Sequence, residues 1–198
     1  ADGRICFNLV TPFGELDIAM RLLGRHNVMN AVAAAAVALE AGADLGHVKQ
    51  GLESALPVRG RLCAREGLRG AVILDDSYNA SPNSFRAAID VLATFSGQKI
   101  LIVGDMKELG TETSRAHQAV GAMAKHAEIQ SLWAVGDYAS VVAKNFGEGA
   151  IVFEDQHSLI RYASTRLESD SVALIKGSRG AKMERVVREL CRGEHDLC

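Results

Sequence analysis

A strand pattern changes into a helix pattern at Leu74-Asp75-Asp76-Ser77-Tyr78-Asn79-Ala80-Ser81-Pro82-Asn83-Ser84. The apolar residues 71–74 predict a buried strand, and the apolar spacing after the proline predicts a helix over about 83–95. Asp75 and Asp76 therefore stand at the carboxyl end of a strand, where open α/β sheets bind ligands. The alternative is a plain helix start, whose acids and cap suit the helix dipole.

The chain beyond residue 60 repeats this alternation. Strands are predicted near 71–75, 99–103, 131–135, 150–153 and 172–176. Helices are predicted near 83–95, 113–127, 138–146, 156–168 and 180–191. Because short apolar runs alternate with amphipathic helices, we expect βαβ units. They indicate an α/β fold with a Rossmann-like, mostly parallel sheet flanked by helices.

The first part of the chain has a different pattern. Apolar runs predict strands at 4–10 and 15–20, joined by a turn. The alanine-rich segment 28–41 predicts a helix that is apolar on every side and must therefore be buried. A second helix is predicted over 44–54, with an aspartate as its N-cap.

A break in the pattern separates these two parts. Pro57–Gly60 ends the helical spacing, so we place a domain boundary there, with domains at 1–59 and 60–198. The chain begins at Ala1 without a methionine, and a strand pattern starts almost at once. We therefore expect it to be a fragment of a longer protein.

Composition narrows the class of partner. The 198 residues are 48% hydrophobic and 23% charged, with a formal net charge of −2. This balance argues against a nucleic-acid binder, which needs a basic surface. No apolar segment approaches the roughly 20 residues that span a membrane. The cysteines are far apart and indicate thiols in a reducing cytoplasm, where we expect the protein to act: Cys6, Cys63, Cys191 and Cys198.

Two asparagines open the alanine-rich helix. Asn27 and Asn30 are three residues apart, so they lie on neighbouring positions of one helix face. A side-chain amide both donates and accepts hydrogen bonds, which suits the edge of an adenine ring. The alternative is an N-cap at Asn27 and a structural amide at Asn30.

The polar residues around the first strand end suit a nucleotide. Asp76 can accept hydrogen bonds from ribose hydroxyls, whereas Asp75 suits a loop-ordering or dipole-stabilising role. Tyr78 and Asn79 are expected to shape the same cleft. Arg61, at the domain boundary, suits either a surface ion pair or a bidentate phosphate contact.

A second polar turn follows the last predicted strand. Lys176-Gly177-Ser178-Arg179-Gly180 has two glycines that allow close backbone approach, and N–H groups at the predicted helix start favour an anion. The alternative is a tight turn with surface cations. The turn is not a Walker A loop, and the chain contains none.

A further loop, Gly104–Gly110, also follows a strand. It carries Asp105, Lys107 and Glu108, so it is either a binding loop or a solvated one. His117 and the other histidines are predicted to be structural, and no metal site is expected.

Five ordered blocks together resemble the Mur ligases of peptidoglycan synthesis. They are Gly24-Arg25-His26-Asn27-Val28-Met29-Asn30-Ala31, Pro57-Val58-Arg59-Gly60-Arg61-Leu62, Asp75-Asp76-Ser77-Tyr78-Asn79-Ala80, Val103-Gly104-Asp105-Met106-Lys107-Glu108-Leu109-Gly110 and Ile175-Lys176-Gly177-Ser178-Arg179-Gly180. The last three blocks are similar to the MurF type, whose members join D-alanyl-D-alanine to UDP-N-acetylmuramoyl-tripeptide. This resemblance implies ATP-binding residues at Asn27, Asn30, Arg61, Asp76, Tyr78 and Asn79, and substrate-binding residues at Lys176, Ser178 and Arg179.

The resemblance also implies a reaction. ATP would phosphorylate the terminal carboxylate of the tripeptide, and the amine of D-alanyl-D-alanine would attack the acyl phosphate, with Mg²⁺ neutralising phosphate charge. Residues 1–59 would end a central ATPase-type α/β domain. The phosphate-binding loop and the magnesium-binding acids are missing from this chain, so we expect it to be inactive alone. The alternatives are another ligase of the superfamily, such as a folylpolyglutamate synthetase, or a non-catalytic nucleotide- or amino-acid-binding module.

Overall fold

The computed structural model describes residues 4–196, which form two compact units, 4–58 and 59–196. The first unit consists of an antiparallel hairpin and two helices. Its elements are β1 (Ile5–Thr11), β2 (Gly14–Met20), α1 (Arg25–Glu40) and α2 (Leu45–Glu53). The two strands and the second helix agree with the sequence prediction, and Asp44 caps α2 by accepting a hydrogen bond from the His47 N–H at 2.8 Å.

The α1 helix departs from its predicted burial. It begins three residues earlier than expected, and only Ala31 and Ala35 are buried. Met29 is 66% exposed and Val37 71% exposed, so the prediction of a helix buried on every side is wrong for this structure. The reason lies in the unit itself, where the hairpin and α2 pack against only one face of α1.

The second unit is a seven-stranded sheet with helices on both faces. Its elements are β3 (Cys63–Gly67), β4 (Val72–Asp76), α3 (Pro82–Ala93), β5 (Gln98–Val103), α4 (Thr113–His126), β6 (Ser131–Val135), α5 (Ala139–Phe146), β7 (Ala150–Phe153), α6 (Gln156–Arg166), β8 (Ser171–Lys176), α7 (Glu184–Leu190) and β9 (Cys191–Asp196). The strand order is β7-β6-β5-β8-β4-β3-β9. The first five strands in this order are parallel, and β3 and β9 are antiparallel additions at one edge. The predicted Rossmann-like, mostly parallel α/β fold is confirmed.

The central strands are buried on both faces because successive side chains point to opposite sides of the sheet. Ile73, Ile102 and Ile175 pack with residues of α6 and α7. Leu74 and Leu174 are also fully buried and lie on the opposite face, where α3 packs against β5 and β8.

This packing brings three loops together. In the sheet register Lys176 is the Cα partner of both Asp76 and Val103. The carboxyl ends of β4, β8 and β5 therefore lie side by side, and the loop that follows each strand starts at the same edge.

Two strands, β3 and the edge strand β9, and one helix end differ from the prediction. The sequence did not predict β3 or β9, since both carry charged residues and neither has an apolar run. The helix predicted over 180–191 is shorter: a 3₁₀ turn at Arg179–Ala181 precedes α7, and the chain then continues as β9. Cys6 is exposed and Cys63 and Cys191 are buried, while Cys198 lies outside the described residues. None of the helices within residues 4–196 has the length and apolar character needed to cross a membrane.

Candidate functional site

A buried ion pair joins the ends of β4 and β8. The Lys176 ammonium lies 2.5 Å from Oδ2 of Asp76 and donates a second hydrogen bond to the Asn79 carbonyl at 2.9 Å. The Lys176 side chain is 1% exposed, while that of Asp76 is 15% exposed. The Lys176 ammonium also lies 5.4 Å from the centre of the Phe85 ring. Within residues 4–196, the hydrogen bond that Asp76 accepts from Lys176 is made by Oδ2, and Oδ1 can accept a further one.

The electrostatic balance at Lys176 is set mainly by burial. Burial lowers the pKa of Lys176 below its ordinary value, and the nearby Arg61 charge acts in the same direction. The Asp76 carboxylate opposes both effects by stabilising the ammonium. The ammonium has one N–H left, but its side chain is 1% exposed, so direct contact between Lys176 and a substrate carboxylate would require the residues around it to move.

Asp75 orders the loop that carries Tyr78. Its Oδ1 accepts hydrogen bonds from the Ser77 N–H at 3.2 Å and the Ser77 hydroxyl at 2.6 Å, and its Oδ2 accepts from the Gly60 N–H at 3.1 Å. The Gly60 carbonyl in turn accepts from the Tyr78 N–H at 3.0 Å. Asp75 is 4% exposed, so it serves the loop and not a ligand. The residue after Gly60 is Arg61, which is thereby held beside the loop.

The start of α3 completes this loop. Ser81 is the N-cap, and its side chain accepts a hydrogen bond from the Ser84 N–H at 3.3 Å. The Ser84 hydroxyl binds the Ser81 N–H at 2.9 Å, and Pro82 occupies the first helical turn. Such a capping box fixes where the helix begins. The loop between β4 and α3 is therefore anchored at both ends.

Two guanidinium groups lie over one aromatic ring. The guanidinium carbon of Arg61 lies 4.5 Å from the centre of the Tyr78 ring, and that of Arg179 lies 5.6 Å from it. Arg179 also lies 3.9 Å from a Glu184 carboxylate oxygen. Both arginines are exposed, so the ends of β4 and β8 present a positively charged surface suited to an anion.

The turn after β8 is compact and rests on a neighbouring loop. The Ser178 N–H donates to the Asp105 carbonyl at 2.9 Å, and Ser178 is 4% exposed. Its hydroxyl has no hydrogen-bond partner within residues 4–196. A Cβ on Gly177 would lie 2.7 Å from Cγ of Met183, so close packing requires glycine there. The helix expected from residue 180 begins only at Glu184, and a short 3₁₀ turn at Arg179–Ala181 stands in its place. The contribution of helix-start N–H groups to an anion site stays a prediction.

The Gly104–Gly110 loop is structural at its base. The Asp105 carboxylate accepts hydrogen bonds from the N–H groups of Asp137 and Tyr138, both at 3.0 Å. His117 is buried, and its Nε2 accepts from the Met106 N–H at 2.9 Å. Its Nδ1 lies 2.7 Å from the Thr113 carbonyl of α4, so both ring nitrogens are engaged by the backbone. This geometry agrees with the structural role predicted for His117.

The two asparagines of α1 bind each other. The Asn30 amide donates to Oδ1 of Asn27 at 3.1 Å, and the Asn27 amide donates to the Leu23 carbonyl at 2.8 Å. Asn27 is not the N-cap, which is Gly24. These residues belong to the first unit, whereas the other predicted site residues lie together in the second. Among the described residues, no group of three acidic, histidine or cysteine side chains could hold a metal ion.

Sequence reasoning missed Phe85, which supports the site, and named Asp105 without its partners. Phe85 fits the apolar spacing of α3 and gave no sign that it lies beneath a buried ammonium. Asp105 did carry a signal, because it follows a strand end directly after a glycine. Its partners come from the next loop along the sheet, which no local pattern shows.

Comparisons with known proteins bear on this site. The family model described as Mur ligase, glutamate ligase domain, matches residues 60–179. The UDP-N-acetylmuramoyl-tripeptide–D-alanyl-D-alanine ligase of Escherichia coli is 42% identical over 186 residues, which cover 93% of this chain and 41% of that protein. A crystal structure of MurF from Acinetobacter baumannii superposes with a TM-score of 0.86 at 33% identity, over 96% of this chain and 42% of that one.

A further solved structure is MurF ligase from Thermotoga maritima in complex with ADP. It has a TM-score of 0.84 at 25% identity, over 96% of this chain and 43% of that one. The chain thus spans about two fifths of the length of the relatives it matches. Because the family model covers more than half of its residues, this chain belongs to the Mur ligase family.

Proposed function

We propose that this chain is part of an ATP-dependent amide ligase that joins D-alanyl-D-alanine to UDP-N-acetylmuramoyl-tripeptide in peptidoglycan synthesis. The relatives with this activity in their names match over almost the whole chain. Residues 1–59 would belong to the central ATP-binding domain of the longer protein and residues 60–198 to its carboxy-terminal ligase domain. Its place of action would be the cytoplasm.

The nucleotide would be held at the end of β4. Asp76 has a carboxylate oxygen available for ribose hydroxyls, and Lys176 fixes the position of that carboxylate. Arg61 supplies an exposed guanidinium suited to a phosphate. Tyr78 and Asn79 would complete this part of the ATP site. For Asn27 and Asn30 of α1, the support for a nucleotide-binding role is the resemblance to the Mur ligases alone. A related protein was solved with ADP, which supports a nucleotide ligand.

Magnesium does not fit the described part of this chain. Within residues 4–196 there is no acidic cluster that could ligate it. Any Mg²⁺ that accompanies ATP would have its ligands elsewhere, so no step of the reaction is assigned to a metal held here.

The incoming dipeptide would bind at the turn after β8. Arg179 is an exposed guanidinium for its carboxylate, and the Ser178 hydroxyl has no protein partner within residues 4–196. Lys176 would act beneath this turn through Asp76. Arg61 and Arg179 share the Tyr78 ring, so a phosphate at one and a carboxylate at the other would lie close together. Such proximity suits attack of the dipeptide amine on an acyl phosphate, with release of phosphate.

The observation that carries the proposal is this convergence of Asp76, Arg61 and Arg179 on adjacent strand ends. In the intact ligase, Asp76→Asn should weaken activity at fixed ATP by roughly ten- to a hundredfold, because a charged acceptor is lost. Arg179→Ala should raise the Michaelis constant for D-alanyl-D-alanine and leave that for ATP nearly unchanged. Arg188→Ala is a matched control, since Arg188 is equally exposed and pairs with Glu189.

The opposite pattern, in which Arg179→Ala affects ATP alone, would assign the turn to the nucleotide. The 198 residues by themselves should neither release phosphate from ATP nor form an amide bond. Turnover by the purified chain would contradict that expectation.

A further inference from the structure

The Tyr78 ring lies close to the guanidinium groups of two arginines. Its hydroxyl has no hydrogen-bond partner within residues 4–196, and the side chain is exposed. The ring nevertheless lies 4.5 Å from the guanidinium carbon of Arg61 and 5.6 Å from that of Arg179. Two like charges would otherwise repel each other, and the negative face of an aromatic ring offsets part of that repulsion.

The position of the ring is set by the backbone beneath it. The Tyr78 N–H binds the Gly60 carbonyl at 3.0 Å, and Asp75 holds the Gly60 N–H at 3.1 Å. Gly60 has φ +78° and lies so close that a Cβ there would be 3.1 Å from the Tyr78 Cβ. Arg61 follows Gly60 directly in the chain. The same backbone hydrogen bonds therefore position both the Tyr78 ring and this arginine.

Arg179 comes to the same ring from another strand. It lies in the turn after β8 and is 68% exposed, and among the described side chains its carboxylate neighbour is Glu184, at 3.9 Å. A long exposed side chain loses conformational freedom when it binds an anion, and this loss weakens binding. A ring that already limits where the guanidinium lies reduces the loss.

We infer that Tyr78 is a positioning residue that holds Arg61 and Arg179 ready for their anions and so couples the nucleotide site to the dipeptide site. This inference rests on the proposed function, in which Arg61 binds a phosphate of ATP and Arg179 the carboxylate of D-alanyl-D-alanine. It assigns to the ring a role through the two arginines and no contact with the reacting atoms.

The test is a pair of substitutions in the intact ligase. Tyr78→Leu removes the ring and should raise both Michaelis constants, each by about two- to fivefold, the factor expected for one exposed cation–π contact. Tyr78→Phe keeps the ring and removes only the unpartnered hydroxyl, so it should raise both constants by clearly less than Tyr78→Leu does. Thermal unfolding of both variants shows whether any change comes from a loss of folded protein.

A double-substitution cycle separates this role from direct substrate contact. When Arg179 is already alanine, Tyr78→Leu should no longer raise the constant for D-alanyl-D-alanine, yet it should still raise that for ATP. The inference is overturned if Tyr78→Leu changes only one Michaelis constant or neither. It is also overturned if the effect of Tyr78→Leu on the constant for D-alanyl-D-alanine persists in full when Arg179 is alanine. Failure of the proposed function would appear differently, as a wild-type enzyme that does not ligate D-alanyl-D-alanine, and it would overturn this inference as well.

Discussion

Asp76→Asn should destabilise the fold more than Lys176→Met, although the two residues form one ion pair. The reason is their unequal burial, since the Lys176 side chain is 1% exposed and that of Asp76 is 15% exposed. Asp76→Asn leaves an ammonium with neutral acceptors and almost no water. Lys176→Met leaves a carboxylate that water can reach, and methionine keeps an unbranched side chain near Phe85.

The size of each effect follows from the cost of an unpaired buried charge. Removing one partner of a buried pair costs about 3–5 kcal/mol. At pH 7 the cost of keeping a buried lysine charged cannot exceed about 5 kcal/mol, because the side chain would otherwise lose its proton. This limit follows from the ordinary lysine pKa of 10.5. We therefore expect Asp76→Asn to lower the free energy of unfolding by about 3–5 kcal/mol and Lys176→Met by about 1–3 kcal/mol. The double variant removes both charges and should be more stable than Asp76→Asn alone.

The difference between the two single variants should depend on pH. Burial lowers the pKa of Lys176 in the folded protein, so the folded state binds this proton less well than the unfolded state does. Burying the charged Lys176 lowers the free energy of unfolding by its full amount below the folded-state pKa. This loss disappears as the pH rises towards 10.5, the ordinary pKa of lysine. Without Asp76 the folded-state pKa falls further. The deficit of Asp76→Asn relative to Lys176→Met should therefore shrink between pH 7 and pH 10.

Urea unfolding followed by tryptophan fluorescence measures these differences. Trp133 is the single tryptophan, is 3% exposed and lies in β6 of the same sheet. Lys144→Met, at an exposed lysine of α5, is the control and should change stability by less than about 0.5 kcal/mol. A loss for Lys176→Met equal to that for Asp76→Asn, or a difference that does not change with pH, would refute the reasoning.

Four further substitutions test the loops that surround the pair, each by urea unfolding. Gly60→Ala should cost about 1–3 kcal/mol, because φ is +78° and the new Cβ would press on Tyr78; a stable variant would show that this segment can shift. Gly136→Ala should lower the free energy of unfolding more than Gly110→Ala does. The new Cβ at Gly136 would lie 2.6 Å from the Asp105 carboxylate, whereas Gly110 faces open space at φ +54°. Equal losses of stability would mean that the carboxylate moves freely. Asp105→Asn should cost about 1.5–3 kcal/mol, because an amide has one oxygen for the two N–H groups that the carboxylate binds; no loss would remove its role as an anchor.

The parallel core of the fold could be predicted because each of its strands is an apolar run. Those strands are buried on both faces, which requires continuous hydrophobic residues and so leaves a local signal. β3 lacks such a signal, since Arg65 and Glu66 interrupt it, and β9 is polar. Their pairing joins Arg65 to Asp196, far apart in the chain. β9 is the edge strand, and charged residues are common on such strands, where they discourage pairing with other chains.

The sequence named the candidate site residues one by one, but it did not predict the contacts among them. The sequence placed Asp76 and Lys176 at strand ends and assigned them to different ligands, and in the structure they are each other's partner. Their contact follows from strand order, because β8 lies between β4 and β5 although it comes after both in the chain.

The same strand order explains how the turn after β8 is supported. On one side Lys176 binds Asp76 at the end of β4, and on the other side the Ser178 N–H binds the Asp105 carbonyl beyond β5. A turn held from both sides cannot shift without disturbing one of its neighbours. The position of Arg179 therefore depends on two loops that are distant from it in sequence, and changes in either loop should alter binding at this turn before they alter the sheet beneath it.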